Sequence, residues 1–317
     1  MFRKCAVFLM LIFVVVCNGL DSKAIDFKIT AKSPINHILT HKNILYISTD
    51  NGEVEVWDLT LRKKIRSIIL ENITDIFDKS TPPRVFRTDT IDNKKILIIS
   101  QDSPDKSNIF IYSDGIFEKI DLGDKSGIIK NAFFVNESEI LLGVRSYEIM
   151  LYNIQTKKVV WSVRPDFEVF TDLNINGNLA ISSTEGGKIY LIDIKNGEIL
   201  KKLQGANFDY LYSLGSAENT ILSAGRDKIC GIYDINTGDF KRIGTKFMSF
   251  AVAISDDSTL GVVSYNENGD FLLFETQSLK NIAILKNINV EPLQVIFIDN
   301  VVATFSRRDV LFWYVSD

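Results

Sequence analysis

One phrase recurs along this chain: an apolar run, a large aromatic or aliphatic residue closing it, then usually a polar residue. It reads Val54-Glu55-Val56-Trp57-Asp58, Ile109-Phe110-Ile111-Tyr112-Ser113, Ile149-Met150-Leu151-Tyr152-Asn153 and Ile189-Tyr190-Leu191-Ile192-Asp193. It returns as Ile229-Cys230-Gly231-Ile232-Tyr233-Asp234, Phe271-Leu272-Leu273-Phe274-Glu275 and Val310-Leu311-Phe312-Trp313-Tyr314. With Trp57, Tyr112, Tyr152, Ile192, Tyr233, Phe274 and Trp313 set in register, the separations are 55, 40, 40, 41, 41 and 39 residues. A period this regular means that one supersecondary unit is built repeatedly, so the repeat constrains the fold more than any local propensity does.

Between the repeats, helical periodicity is almost absent, while short runs of Ile, Val, Phe and Tyr alternate with turn residues. A period of about 40 to 45 residues is that of a four-stranded propeller blade. The chain is therefore expected to be all-β, a seven-bladed β-propeller of four-stranded antiparallel blades over residues 20–317. The long first interval fits an insertion near Ile73 to Arg84, which holds Asp78-Lys79-Ser80-Thr81-Pro82-Pro83. In the fourth repeat the strands are placed at Phe170 to Ile175, Asn178 to Ser183, Lys188 to Ile194 and Glu198 to Leu203. Turns recur in phase: Asp193-Ile194-Lys195-Asn196-Gly197 and Asp234-Ile235-Asn236-Thr237-Gly238 between third and outer strands, and Asp50-Asn51-Gly52, Glu185-Gly186-Gly187 and Asn268-Gly269 between second and third. The last repeat reaches Val310 to Val315 and lacks an outer strand before Asp317. The alternating segment Ile25-Asp26-Phe27-Lys28-Ile29-Thr30-Ala31 is predicted to supply it, closing the ring and covering two strand edges.

Val56-Trp57-Asp58-Leu59, with Tyr233-Asp234-Ile235 and Leu191-Ile192-Asp193-Ile194 in phase, resembles the WD40 repeat over the whole chain beyond residue 19. Only one repeat carries Trp-Asp and no Gly-His dipeptide occurs, so the His-based hydrogen-bond network of many WD40 blades is not expected. The segment Tyr152 to Trp161 also resembles a blade end of quinoprotein-like propellers. The exported, seven-repeat, Ile/Lys/Asn-rich chain is similar to the WD40-like accessory proteins encoded with bacterial periplasmic nitrate reductases. That resemblance implies a supporting role toward nitrate reductase components, without a molybdenum or haem centre of its own.

Met1-Phe2-Arg3-Lys4, the apolar run Ala6 to Val16 and Cys17-Asn18-Gly19 have the order of a secretory signal, expected to end at residue 19. The apolar run is about a dozen residues, short of the roughly 20 that a spanning helix needs. A periplasmic location is expected, with membrane attachment only through acylation of Cys17. The formal charge is −4, and losing Arg3 and Lys4 would make it −6. Without a block of Lys and Arg, nucleic acid is an unsuitable partner. Of three cysteines, Cys5 and Cys17 lie in the leader, which leaves Cys230 as a buried, inert thiol in an apolar run.

The search for chemistry is short. The two histidines, His37 and His41, sit in a segment expected to be extended, about 13 Å apart at roughly 3.3 Å per residue, too far to share an ion. No Cys-x-x-Cys-His, Gly-x-Ser-x-Gly or phosphate-binding glycine loop occurs, and Asp256-Asp257 reads as a solvated turn. No cofactor, metal or catalytic residue is assigned. Charged residues do recur at second-to-third turns: Asp50, Arg145, Glu185, Arg226, Asp227, Arg307, Arg308 and Asp309. In a propeller these turns gather on one face around the channel, which makes them the candidate protein-binding residues of a monomeric, non-enzymatic assembly factor. Two alternatives stay open: a lactonase-like or quinoprotein-like enzyme or ligand-binding propeller with its pocket at the channel mouth, and a quinoprotein-like outer-membrane assembly scaffold.

Overall fold

Runs such as Ile44-Leu45-Tyr46-Ile47 and Ile96-Leu97-Ile98-Ile99 carry bulky apolar residues on both faces, so as strands they need cover on both sides. The structure is a computed structural model describing residues 20–74, 78–123, 127–287 and 292–315, and it supplies that cover. The expected leader, with Cys5 and Cys17, lies outside the described residues. Seven antiparallel sheets succeed one another as blades, and no α-helix occurs among the described residues. The innermost strands are Ile35–His41, Val85–Thr90, Ile129–Asn136, Phe170–Asn176, Leu211–Ala217, Val252–Ile254 and Val295–Ile298, taken from blade one to blade seven. The protein is a seven-bladed β-propeller.

The recurring phrase is the third strand of every blade. Trp57, Tyr112, Tyr152, Ile192, Tyr233, Phe274 and Trp313 each occupy the penultimate position of that strand. The polar residue that follows has a local task. Asp58 accepts the backbone N–H of Leu61, Asn153 that of Thr156, Asp193 that of Lys195, and Asp234 those of Asn236 and Thr237, at 2.7–2.8 Å. Each such Asx bond bends the chain into the third-to-outer turn.

The apolar side chains form seven clusters, and each spans two neighbouring blades. Leu222, Cys230 and Ile243 of blade five, for example, meet Val252, Val263 and Phe274 of blade six. A blade is thus one half of two cores, and burial of each large side chain, worth roughly 1.5–3 kcal/mol, is realised only when its neighbour is present. Close approach between blades limits side-chain size: a Cβ on Gly143 of blade three would lie 2.7 Å from the ring of Phe170 in blade four.

Ring closure follows the sequence expectation. Phe27–Thr30 pairs antiparallel with Asp309–Tyr314, placing Phe27 opposite Phe312 and Thr30 opposite Asp309. Ile29 and Ala31 then join Ile35, Ile38, Phe305 and Phe312 in the cluster between blades seven and one. One strand was not anticipated: Asp21–Lys23 pairs parallel with Asn281–Leu285 as a fifth strand of blade six. The insertion after blade one carries a small hairpin, Ile73–Thr74 with Ser80–Thr81.

Candidate docking face and central channel

The turns between second and third strands lie on the same face as the loops linking one blade to the next, and backbone bonds tie the two sets together. Asp50 N donates to Pro34 O, Arg145 N to Ile128 O, Glu185 N to Val169 O and Arg226 N to Tyr210 O, at 2.9–3.1 Å. The candidate residues divide by what their side chains do. Arg145, Glu185, Arg226 and Arg307 are exposed at turn tips. Asp227 is committed internally, accepting Asn207 Nδ2 at 3.0 Å and Phe208 N at 2.9 Å. Asp50 accepts Asn36 Nδ2 at 2.8 Å and faces Arg84 Nε at 3.8 Å. Arg308 donates through Nε to Ala31 O, and Asp309 takes Thr30 Oγ1 and Lys28 Nζ, so both serve ring closure.

The inter-blade loops add side chains that the charge pattern did not single out. Phe167 is 89% exposed and Phe208 is 69% exposed, in the loops entering blades four and five. Arg164 Cζ stands 5.1 Å from the ring centre of Phe167, and Arg242 Cζ 5.1 Å from that of Phe208. Farther round, Tyr210, Tyr212, Phe250 and Phe247 form a half-buried aromatic chain with ring centres 5.0 to 6.2 Å apart. The loop holding Phe167 is fixed from below: Asp166 accepts Tyr190 Oη and pairs with Lys188 at 3.1 Å, and Lys188 also pairs with Glu168. Burial opposes ionisation of Asp166, yet hydrogen bonds from Tyr190, Lys188 and the loop backbone prevail and hold its carboxyl well below the usual range. In sequence these phenylalanines look like ordinary core material; only a loop position beside a fixed acidic anchor marks them.

Inside the ring, the inner strands enclose a channel of about 450 Å³. Polar side chains bridge neighbouring blades there. Asp89 accepts Phe134 N at 2.7 Å, Asn131 Nδ2 donates to Leu173 O at 3.2 Å, Asp172 accepts Leu214 N at 2.9 Å, and Gln294 makes both an accepted and a donated bond of 2.9 Å with the Ile38 backbone. Burial raises the Asp89 carboxyl to about 6 and also raises that of Asp172. His37 is in the inner strand of blade one, where burial, then the charge of Arg87, keeps its imidazole well below its ordinary value and so neutral at pH 7. Burial likewise lowers Arg87 and Lys130. A signal for this set existed in the sequence: Arg87 and Lys130 are cations inside inner strands, each directly after an apolar residue, Phe86 and Ile129.

Cys230 is fully buried and its thiol is pushed far above the ordinary value by burial. Asp257 closes its own turn, accepting Ser255 Oγ at 2.6 Å and Thr259 N at 3.0 Å. Among the described residues no group of three or more His, Cys, Asp or Glu is placed to hold a metal ion. No family model and no curated protein matches this chain.

Proposed function

We propose that the protein is a non-enzymatic scaffold that docks a protein partner on the turn-and-loop face of blades three to five. The observation that carries this reading is the pair of solvent-facing rings, Phe167 and Phe208, each beside a guanidinium and within a face edged by Arg145, Glu185 and Arg226. Aromatic residues and Arg dominate interface hot spots, and withdrawing an exposed ring from water is worth roughly 1.5–3 kcal/mol. The loop under Phe167 is already fixed by Asp166, Lys188 and Tyr190, so docking there orders little additional chain.

The partner in this proposal is a component of the periplasmic nitrate reductase system, met in the periplasm; the sequence resemblance supports it. Binding of purified nitrate reductase components to the immobilised protein tests both parts. The double variant Phe167→Ser/Phe208→Ser is expected to bind about tenfold or more weakly, and Arg226→Glu to bind more weakly with an altered salt dependence. Equal binding by wild type and the double variant would overturn the face. Failure of every nitrate reductase component to bind wild type would overturn the partner.

A further inference from the structure

The central channel holds polar groups that the docking face does not use. Of the six buried side-chain atoms without a hydrogen-bond partner among the described residues, three, His37 Nδ1, Arg87 Nε and Ser216 Oγ, belong to residues that line this one space. Natural proteins leave few such groups, because each buried unpaired donor is destabilising and a charged one more so. His37 and Arg87 are each third in their strands, Ile35–His41 and Val85–Thr90, on adjoining blades. His37 is only 7% exposed. Arg87 Cζ stands 4.6 Å from the ring centre of Phe133, so an aromatic ring cushions the cation while its Nε–H goes unused. Asp89 and Asp172 act on Arg87 through space, but their oxygens already accept Phe134 N, Leu173 N, Leu214 N and Asn131 Nδ2.

We propose that the channel is a binding site for a small carboxylate, with Arg87 as its charged anchor and His37 beside it. A planar guanidinium with free N–H groups matches a carboxylate edge to edge, and such charge-assisted bonds are the strong ones. The channel volume of about 450 Å³ falls within the range of small-molecule sites. The charges nearby decide between oxyanions: the cations Arg87 and Lys130 are balanced by Asp89 and Asp172, so a single negative charge is accommodated more readily than a phosphate dianion. Ser216, near the far end of Leu211–Ala217, offers a hydroxyl deeper in the channel for the remainder of a longer ligand.

Calorimetric titration of the purified protein with acetate, butyrate and inorganic phosphate tests the site. A carboxylate is expected to bind saturably at one site, with phosphate about tenfold or more weaker. Arg87→Gln should weaken the carboxylate by about tenfold or more, and Arg87→Lys, which keeps the charge and loses the fork, by less. Lys119→Gln, on the exposed outer strand of blade two, should match wild type. Circular dichroism checks the fold of each variant, and Arg87→Lys carries the comparison if Arg87→Gln does not fold. The site is overturned if neither carboxylate binds at millimolar concentration, if phosphate binds as tightly, or if the folded Arg87 variants keep wild-type affinity.

Discussion

Blades four and seven have the same four-stranded order but hold their outer strands by different means. In blade four, Ile199–Leu203 follows the third strand through one short turn, with Asp193 accepting Lys195 N, Asn196 accepting Glu198 N, and Gly197 at φ +76°. In blade seven the outer strand comes from the opposite end of the chain, and the bond from Lys28 to Asp309 spans 281 positions. Closing so long a loop costs about 3–4 kcal/mol more than closing a five-residue one, by the logarithmic dependence on length. The non-local strand accordingly carries a denser set of side-chain clamps than the local one, whose ties are Lys201 Nζ donating to Ile235 O and Asn236 O and Lys202 lying over the Tyr190 ring. Phe27 stacks on Phe312 with ring centres 4.3 Å apart, and Arg62 of blade one lies 3.9 Å from the ring centre of Phe27. Thr30 and Lys28 grip Asp309, and Arg308 holds Ala31 O. Chain connectivity is thus replaced by chemistry at the one place where the ring needs it.

Removing the clamp altogether is the severest test. Deletion of residues 20–32 takes away both N-terminal strands, bares the edges of Asp309–Tyr314 and Asn281–Leu285, and removes Ile29 and Ala31 from the core between blades seven and one. We expect Tm to fall by more than about 10 °C, or the protein to lose cooperative unfolding. An unchanged Tm would show that the chain ends do not hold the ring. Phe27→Ala is the next step down. It deletes one half-buried ring between Phe312 and Arg62 and should cost about 2–3 kcal/mol in denaturant unfolding. A loss no greater than that of Ile199→Ala, in the outer strand of blade four, would remove the distinction between the two blades.

Much of this difference was legible in the sequence, because the missing outer strand left a gap in a counted pattern and Ile25 to Ala31 alternates as an edge strand must. The third strands were legible for the same reason: neighbouring blades cover both faces, so they read as unbroken apolar runs. Other features left weaker marks. The residue five places beyond the third-strand marker has positive φ in five blades, but it is Arg62, Lys157 and Leu279 as well as Gly197 and Gly238. Glycine marks that turn in only two of the five, although the backbone enters the left-handed region in all of them. Asp21–Lys23, a short, mostly exposed parallel strand, has no apolar pattern to read. On the candidate face, charge alone could not separate Arg145 and Arg226, free at their tips, from Asp227, Arg308 and Asp309, whose partners lie elsewhere in the chain. Phe167 and Phe208 were hidden because a single apolar residue looks the same in a core or on a loop.

The blade-four turn offers a third test. Gly197→Ala would place a Cβ 2.7 Å from the Trp161 ring and impose a side chain on backbone at φ +76°. A loss of about 1–2 kcal/mol is expected, measured as a shift in denaturant midpoint at constant m. It should speed hydrogen exchange in Ile199–Leu203 and leave Phe27–Thr30 unchanged, because the two outer strands are held independently. Equal acceleration in both would mean that the ring opens as one unit.

The smallest expected effect isolates the chemistry of the clamp. Burial works against ionisation of Asp309, but hydrogen bonds from Thr30 and Lys28 and the charges of Lys28 and Arg308 outweigh it, holding the carboxyl below its ordinary range. A carboxyl with a lowered folded-state value stabilises the fold above its unfolded value, near 4, and that stabilisation disappears as pH falls through the folded value. Asp309 is part-exposed and Lys28 largely exposed, so screening limits the effect to about 0.5–1 kcal/mol. Hydrogen exchange, corrected for intrinsic pH dependence, should therefore show protection of Phe27–Thr30 falling between pH 5 and pH 3 more than that of Ile199–Leu203. Asp309→Asn retains an acceptor for Thr30 and discards the charge, so it should start with lower protection at pH 7 and lose the extra acid sensitivity. If the variant keeps the wild-type pH profile, the N-terminal strand is held by its rings and backbone bonds alone, and the comparison between blades reduces to packing.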